Sequence, residues 1–235
     1  MRIGLLIPSS NSTQEPEFYR ALPDECTLHV TRLTLEKIEA DSTLKIGEQV
    51  EDGARRLSHA DVDIIVLAAT APSSRNGPDY DRELAARITK ASGKPATTAA
   101  TAMTMALHAV GARRVVLGAP WSDAVNARTA SFMAQSGFEV LEQRATGIVA
   151  NREVGLLDPE TAYEMGIEID RTDADAIVLA CGNWKTFPII SKLEAKVGKP
   201  VLTTNQVSLW HVLKLLKVAP PTGLGAVFEK ELKGT

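Results

Sequence analysis

Cysteine is scarce in this chain. Two thiols in 235 residues, Cys26 and Cys181, cannot build a disulfide framework. Cysteine usage this low points to a reducing compartment. The four histidines do not join the cysteines in any cluster with zinc-finger spacing, so no metal site is expected. Long apolar runs are absent as well. The opening Met1-Arg2-Ile3-Gly4-Leu5-Leu6-Ile7-Pro8 is too short for a signal peptide and is broken by Pro8. Nothing approaches the ~20 apolar residues that a membrane span needs. Charge of one sign is missing too: 26 basic and 29 acidic residues give a net charge of −3, with no basic block. A nucleic-acid partner is therefore not expected. These absences describe a cytoplasmic protein with neither membrane nor nucleic acid as partner.

What is present is ordinary globular composition, 44% hydrophobic and 23% charged. The apolar content excludes disorder as the main state. The length allows one large domain or two of about 100–120 residues. Short apolar runs alternate with helical patterns. Strands are expected over 3–7, 28–33, 63–68, 115–118, 177–180 and 201–202. Helices are expected over 15–22, 44–60, 80–92 and 99–110, the second from Leu44, Gly47, Val50, Ala54 and Leu57 at three- to four-residue spacing. Continuous β-branched runs such as Ile64-Ile65-Val66-Leu67 suit a parallel sheet covered on both faces. The alternation predicts an α/β fold built of βαβ units.

The chain also repeats itself. Ile65-Val66-Leu67-Ala68-Ala69 matches Ile177-Val178-Leu179-Ala180-Cys181 at an offset of 112, and Ile7-Pro8 matches Ala119-Pro120 at the same offset. Gly93-Lys94-Pro95 recurs as Gly198-Lys199-Pro200, offset by 105. One match alone would be chance; three in order argue for duplication. Two similar parallel-sheet α/β halves related by a pseudo-twofold are expected, over residues 1–112, whose last helix can cross over, and 113–235.

In open α/β sheets ligands sit beyond the carboxyl ends of the strands. Four loops qualify, over 8–13, 69–75, 119–123 and 181–184, and each is expected to lead into a helix N-terminus suited to anions. The first two carry Ser9, Ser10, Asn11, Ser12, Thr13, Thr70, Ser73 and Ser74. Capping alone explains one such residue per loop, not this density. Cys181 stands just past a strand. It is either a buried small hydrophobe or a thiol activated by the following helix. Under the duplication its counterpart is Ala69. Two facing thiols would be a two-base proton-transfer site, and here one is a methyl group.

Pro8-Ser9-Ser10-Asn11-Ser12-Thr13 with Glu15-Pro16-Glu17, then Ala68-Ala69-Thr70 and Ala180-Cys181-Gly182, resembles the Asp/Glu racemase superfamily. That superfamily includes maleate cis–trans isomerases, arylmalonate decarboxylases and hydantoin racemases. The opening motif is most similar to the maleate isomerase branch. The stretch Thr70–Asp81 and Trp121-Ser122-Asp123-Ala124-Val125-Asn126 look more like arylmalonate decarboxylase. The resemblance implies a cofactor-free enzyme acting on a small dicarboxylate, present as a dimer or higher homo-oligomer. It assigns Cys181 and position 69 to catalysis. To substrate it assigns Ser9, Ser10, Asn11, Thr70, Ala71, Trp121, Asn151, Gly182 and Asn183. Two departures stand out. Racemases and isomerases carry cysteine where this chain has Ala69, and decarboxylases carry glycine. Both the isomerase and decarboxylase branches place a tyrosine hydroxyl where this chain has Trp121, whose indole donates but cannot accept.

As an isomerase, a thiolate at position 69 would add to a cis-butenedioate and Cys181 would protonate the neighbouring carbon. By that reading the chain is a maleate isomerase-type enzyme without its first thiol, through natural loss or one inactivating substitution. The alternative is an arylmalonate-type decarboxylase using Cys181 alone as proton donor. A third reading is a non-catalytic small-molecule binder. Arg75 and Lys185 are read as loop charges that can pair a carboxylate, and Trp184 and Phe187 as core or pocket wall. The histidines and Cys26 are read as structural.

Overall fold

A computed structural model describes residues 1–232. The first half runs β1 (Arg2–Pro8), α1 (Gln14–Ala21), β2 (Thr27–Leu33), α2 (Ala40–Ser58), β3 (Ile64–Leu67), α3 (Thr70–Ser74), α4 (Gly77–Ser92), β4 (Ala96–Thr98) and α5 (Ala99–Val110). The second runs β5 (Arg114–Ala119), α6 (Asp123–Gln135), β6 (Glu139–Ala145), α7 (Asn151–Leu156), α8 (Glu160–Glu168) and β7 (Ala176–Leu179). A 3-10 turn (Phe187–Ile189), α9 (Ile190–Val197), β8 (Val201–Thr203), α10 (Thr204–Leu216) and α11 (Ala226–Leu232) follow.

Each half holds one four-stranded parallel sheet, ordered β2-β1-β3-β4 and β6-β5-β7-β8. After the exposed Arg2 and Arg114 that open β1 and β5, the central strands are apolar, and Leu5, Leu6, Ile65, Val66, Val116, Ile177 and Val178 are fully buried. Such strands need cover on both faces, which the crossover helices supply. The repeated Gly-Lys-Pro is the same device twice. Gly93 (φ 69°) and Gly198 (φ 68°) end α4 and α9 in the left-handed conformation, and the proline leads into the next strand. The matching sheet orders are what the duplicated sequence anticipates. α5 and α10 pack on each other across the two halves, α5 reaching β8 and α10 reaching β3.

The edge strand β6 was not expected. It is largely exposed, reads Glu-Val-Leu-Glu-Gln-Arg-Ala, and pairs with β5 across a register shift at Val115/Val116. A half-exposed edge strand carries no continuous apolar run. The short β4 also escaped, hidden between Pro95 and the alanine-rich α5. Among the described residues no helix is long and apolar enough to cross a membrane.

Candidate active site

The two sheets direct the carboxyl ends of their central strands at one cavity. Pro8 and Asn11 follow β1, Ala68 to Pro72 follow β3, Trp121 follows β5, and Cys181, Gly182 and Asn183 follow β7. Asn151 opens α7. Leu35 and Ile38, from the segment between β2 and α2, and Thr43, in the first turn of α2, form the roof. The cavity holds about 350 Å³ of space between protein atoms, solvent at its mouth included. The roof is tied to the second half: Ile38 N–H donates to the Val149 carbonyl at 2.8 Å, and Asn151 N–H donates to the Glu36 carbonyl at 3.0 Å.

Cys181 and Ala69 both line this cavity. Cys181 is 4% exposed. Burial pushes its thiol up to about 12, against the opposing pull of the Asn183 and Trp184 backbone N–H groups. The helix-end activation that favours thiolate is therefore outweighed by desolvation. One reason is distance along the chain: the loop from Cys181 runs through the 3-10 turn before α9 begins. Behind the thiol, Cys181 N–H donates to Thr204 Oγ1 at 3.0 Å, and Thr204 Oγ1 shares a 2.8 Å hydrogen bond with Thr70 Oγ1.

Among the described residues, Cys181 carries the one ionisable side chain that lines the cavity. Polar contacts come from neutral groups. Asn11 Oδ1 accepts from the Thr13 and Gln14 N–H groups, both at 3.0 Å, which caps α1. Its amide nitrogen makes only a 3.5 Å contact with Gln14 Oε1. Asn151 Nδ2 donates to Ser10 Oγ at 2.8 Å. Asn183 straps three loops together: its Oδ1 accepts from Ser12 N–H at 2.8 Å, and its Nδ2 donates to the Asn151 carbonyl at 2.7 Å. Thr70 and Ala71 begin α3, whose first N–H groups have no partner within the helix. Trp121 gives its indole N–H to Asn126 Oδ1 at 3.2 Å and presents carbon to the cavity.

Of the residues assigned to substrate, Asn11, Thr70, Ala71, Trp121, Asn151, Gly182 and Asn183 line the cavity; Ser9 and Ser10 do not. The Ser9 and Ser10 hydroxyls both donate to the Leu35 carbonyl, and Leu35 N–H returns a bond to Ser9 Oγ at 3.1 Å. They anchor the roof. The hydroxyls of Ser73 and Ser74 bond back to the Ala69 and Thr70 carbonyls within their own turn. Arg75, Lys185, Trp184 and Phe187 lie off the cavity, and Trp184 is core, its N–H given to Thr161 Oγ1 at 2.9 Å. None of the four histidines lines it either. The sequence reading missed Leu35, Ile38, Thr43 and Thr204. Thr204 had a signal: the 105 offset places it opposite Ala99. Among the described residues no three His, Cys, Asp or Glu side chains group as metal ligands.

A family model described as arylmalonate decarboxylase matches residues 3–228. A maleate isomerase of Pseudomonas putida strain KT2440 is 30% identical over 96% of this chain and 96% of its own length. The arylmalonate decarboxylase of Bordetella bronchiseptica is 28% identical over 97% and 96%. Among solved structures, a cysteine-to-alanine form of the maleate isomerase Iso from Pseudomonas putida S16, crystallised with maleate, superposes with a TM-score of 0.94. It shares 25% identity, with 98% of each chain covered.

Proposed function

The chain belongs to the arylmalonate decarboxylase family, and within it we propose a cofactor-free carboxy-lyase that uses Cys181 as its one proton donor. The observation that carries this reading is a single protonated thiol that lines one cavity together with the Ala69 methyl, with no charged side chain among the described lining residues. The substrate is a small malonate-type dicarboxylate. One carboxylate is held by neutral donors: the Asn11 amide, the Thr70 hydroxyl and the first N–H groups of α3. The other lies toward the apolar surface of Leu35, Ile38 and Trp121, where a carboxylate is poorly solvated.

The bond from the α-carbon to that second carboxylate breaks, its electron pair stays on carbon, and CO2 leaves. The charge spreads into the remaining carboxylate as an enediolate, where preorganised donors help most. The Cys181 Sγ–H then gives its proton to the α-carbon. The thiolate left behind takes a proton from water before the next turnover. A thiol near 12 suits this step, because the donor must arrive protonated and a carbanion is the stronger base. It suits nucleophilic addition poorly, since at pH 7 the thiolate fraction would be on the order of 10⁻⁵.

A second reading is favoured by a different observation. Asn11 and Asn151, which the resemblance ties to the maleate isomerase branch, both line the cavity. That chemistry needs a nucleophile where Ala69 stands, so it predicts an inert chain until a thiol is restored. Proton NMR in deuterated water separates the readings. With substituted malonates, the chain is expected to yield the monoacid carrying one deuterium, and Cys181→Ala is expected to stop it. No CO2 from any malonate, with maleate and fumarate also left unchanged, would overturn the carboxy-lyase.

A further inference from the structure

We infer that Glu17 is a positioning residue for Cys181, acting through Asn205 on the peptide that joins Gly182 to Asn183. The inference rests on Cys181 being the proton donor of the proposed reaction. Glu17 comes from α1 of the first half yet is 3% exposed, buried against the second. Its Oε1 accepts from the N–H groups of Thr186 at 2.9 Å and Phe187 at 3.1 Å. Its Oε2 accepts from Asn205 Nδ2 at 2.6 Å. That same nitrogen gives its second hydrogen to the Gly182 carbonyl at 3.1 Å.

In a trans peptide the carbonyl and the next N–H point in opposite directions. Holding the Gly182 oxygen toward Asn205 therefore turns the Asn183 N–H away from Asn205, to the side of the Cys181 sulfur it supports. The neighbouring residue, Thr204, holds the peptide on the other side of the cysteine by accepting from Cys181 N–H. Residues 204 and 205 thus fix the Ala180–Cys181 and Gly182–Asn183 peptides, one before the cysteine and one just after it. At the equivalent positions of the first half, 105 residues earlier, stand Ala99 and Ala100, and there the thiol is Ala69. Neither Ala99 nor Ala100 has the side-chain hydrogen-bonding group that Thr204 and Asn205 bring to the loop of Cys181. Gly182 is pressed close as well: a Cβ there would lie 3.3 Å from Asn205 Oδ1 and 3.2 Å from Gln14 Oε1.

The carboxylate has a task that an amide cannot perform. Burial raises the Glu17 carboxyl, but three N–H groups point at its two oxygens; in this arrangement both oxygens accept, so Asn205 must turn its NH2 toward Glu17, which leaves that group in reach of Gly182. A glutamine at 17 could still cap Thr186 and Phe187 through Oε1. Its NH2, however, would invite the Asn205 oxygen to turn round and face the Gly182 carbonyl.

The test is Glu17→Gln, read by the Asn183 amide in ¹⁵N–¹H correlation spectra and by kcat and KM on a malonate that the parent turns over. The Asn183 resonance is expected to move. The rate constant kcat is expected to fall by up to about 10²-fold, the scale of a 1 Å misplacement, with KM little changed. The double variant Glu17→Gln/Asn205→Asp restores a hydrogen bond between the two side chains but aims an acceptor at Gly182. It is expected to stay slow and shifted. An unmoved Asn183 amide in Glu17→Gln, or recovery in the double variant, would overturn the relay. Should Glu17→Gln fail to fold, Asn205→Ala reports on the same peptide through the same resonance. If the parent turns over no malonate, the proposed reaction fails, while the Asn183 spectra still decide the relay.

Discussion

Thr70 and Thr204 join the two halves of the molecule through one 2.8 Å hydrogen bond directly behind the thiol. Thr204 also accepts from the Cys181 N–H. All three residues are buried. Thr204→Val keeps the shape but strips a partner from a buried N–H and from a buried hydroxyl, each costing about 1–3 kcal/mol when left unpaired. A loss of stability of about 2–6 kcal/mol for the two groups together is expected in urea denaturation, with Thr204→Ser close to the parent. A valine variant as stable as the serine variant would show that the bond contributes nothing.

Cys181 carries a pH prediction. Its thiol is pushed up to about 12 by burial, from an ordinary value of 9. Below that ordinary value it is protonated in both the folded and the unfolded chain and adds no pH dependence. Between the two values the unfolded chain releases a proton that the folded chain keeps, so stability falls as pH rises, by at most about 1.4 kcal/mol per pH unit. Cys181→Ala is expected to flatten that alkaline slope in denaturation series run from pH 8 to 11. An unchanged slope would mean that the thiol ionises as readily in the fold as out of it.

The sequence showed the central strands, since Ile64 to Leu67 and Ala176 to Leu179 are buried on both faces and read as unbroken apolar runs. It showed the thiol and its missing twin, because the two runs carry them at matching offsets. What it hid depends on three-dimensional closure. Leu35 and Ile38 look like any loop residues until the roof folds over the cavity and bonds to Val149. Ser9 and Ser10 look like ligand contacts because hydroxyls at strand ends often are, yet the Leu35 backbone takes them first. Glu17 sat in the quoted Glu-Pro-Glu run, but its partner Asn205 lies 188 residues away.

Trp121 sets the side-group prediction. Its N–H is held by Asn126, so the cavity meets only ring carbon. Trp121→Phe shrinks the wall and leaves Asn126 Oδ1 without this donor. Stability is expected to fall by about 1–3 kcal/mol. The ratio of kcat/KM for a bulky over a small α-substituent is expected to rise by roughly 10-fold or more, the discrimination an apolar wall can supply. Competition between two malonates of different size measures the ratio directly, and no change would remove Trp121 from the substrate's side-group pocket.

The last prediction concerns position 69. Ala69 is 4% exposed and borders the cavity that also holds Cys181. Under the proposed reaction one thiol delivers the proton from one face, so a prochiral malonate should give one enantiomer. Ala69→Cys adds an acid–base group on the facing wall. Positioned proton transfer is worth about 10²–10⁴ in rate, so the variant is expected to turn out both enantiomers and to exchange the α-hydrogen of the product with deuterated water. It is also expected to convert maleate to fumarate, because the new thiol supplies the nucleophile that addition to the alkene requires. Cys181→Ala should abolish these activities in either background, since no other acid lines the cavity among the described residues. Chiral chromatography and NMR of the four variants, with malonate, maleate and product acid, provide the measurement. A parent that already makes a racemate would require a second proton donor and sink the one-thiol mechanism. A variant that gains neither exchange nor isomerisation would mean that position 69 does not face the reacting carbon.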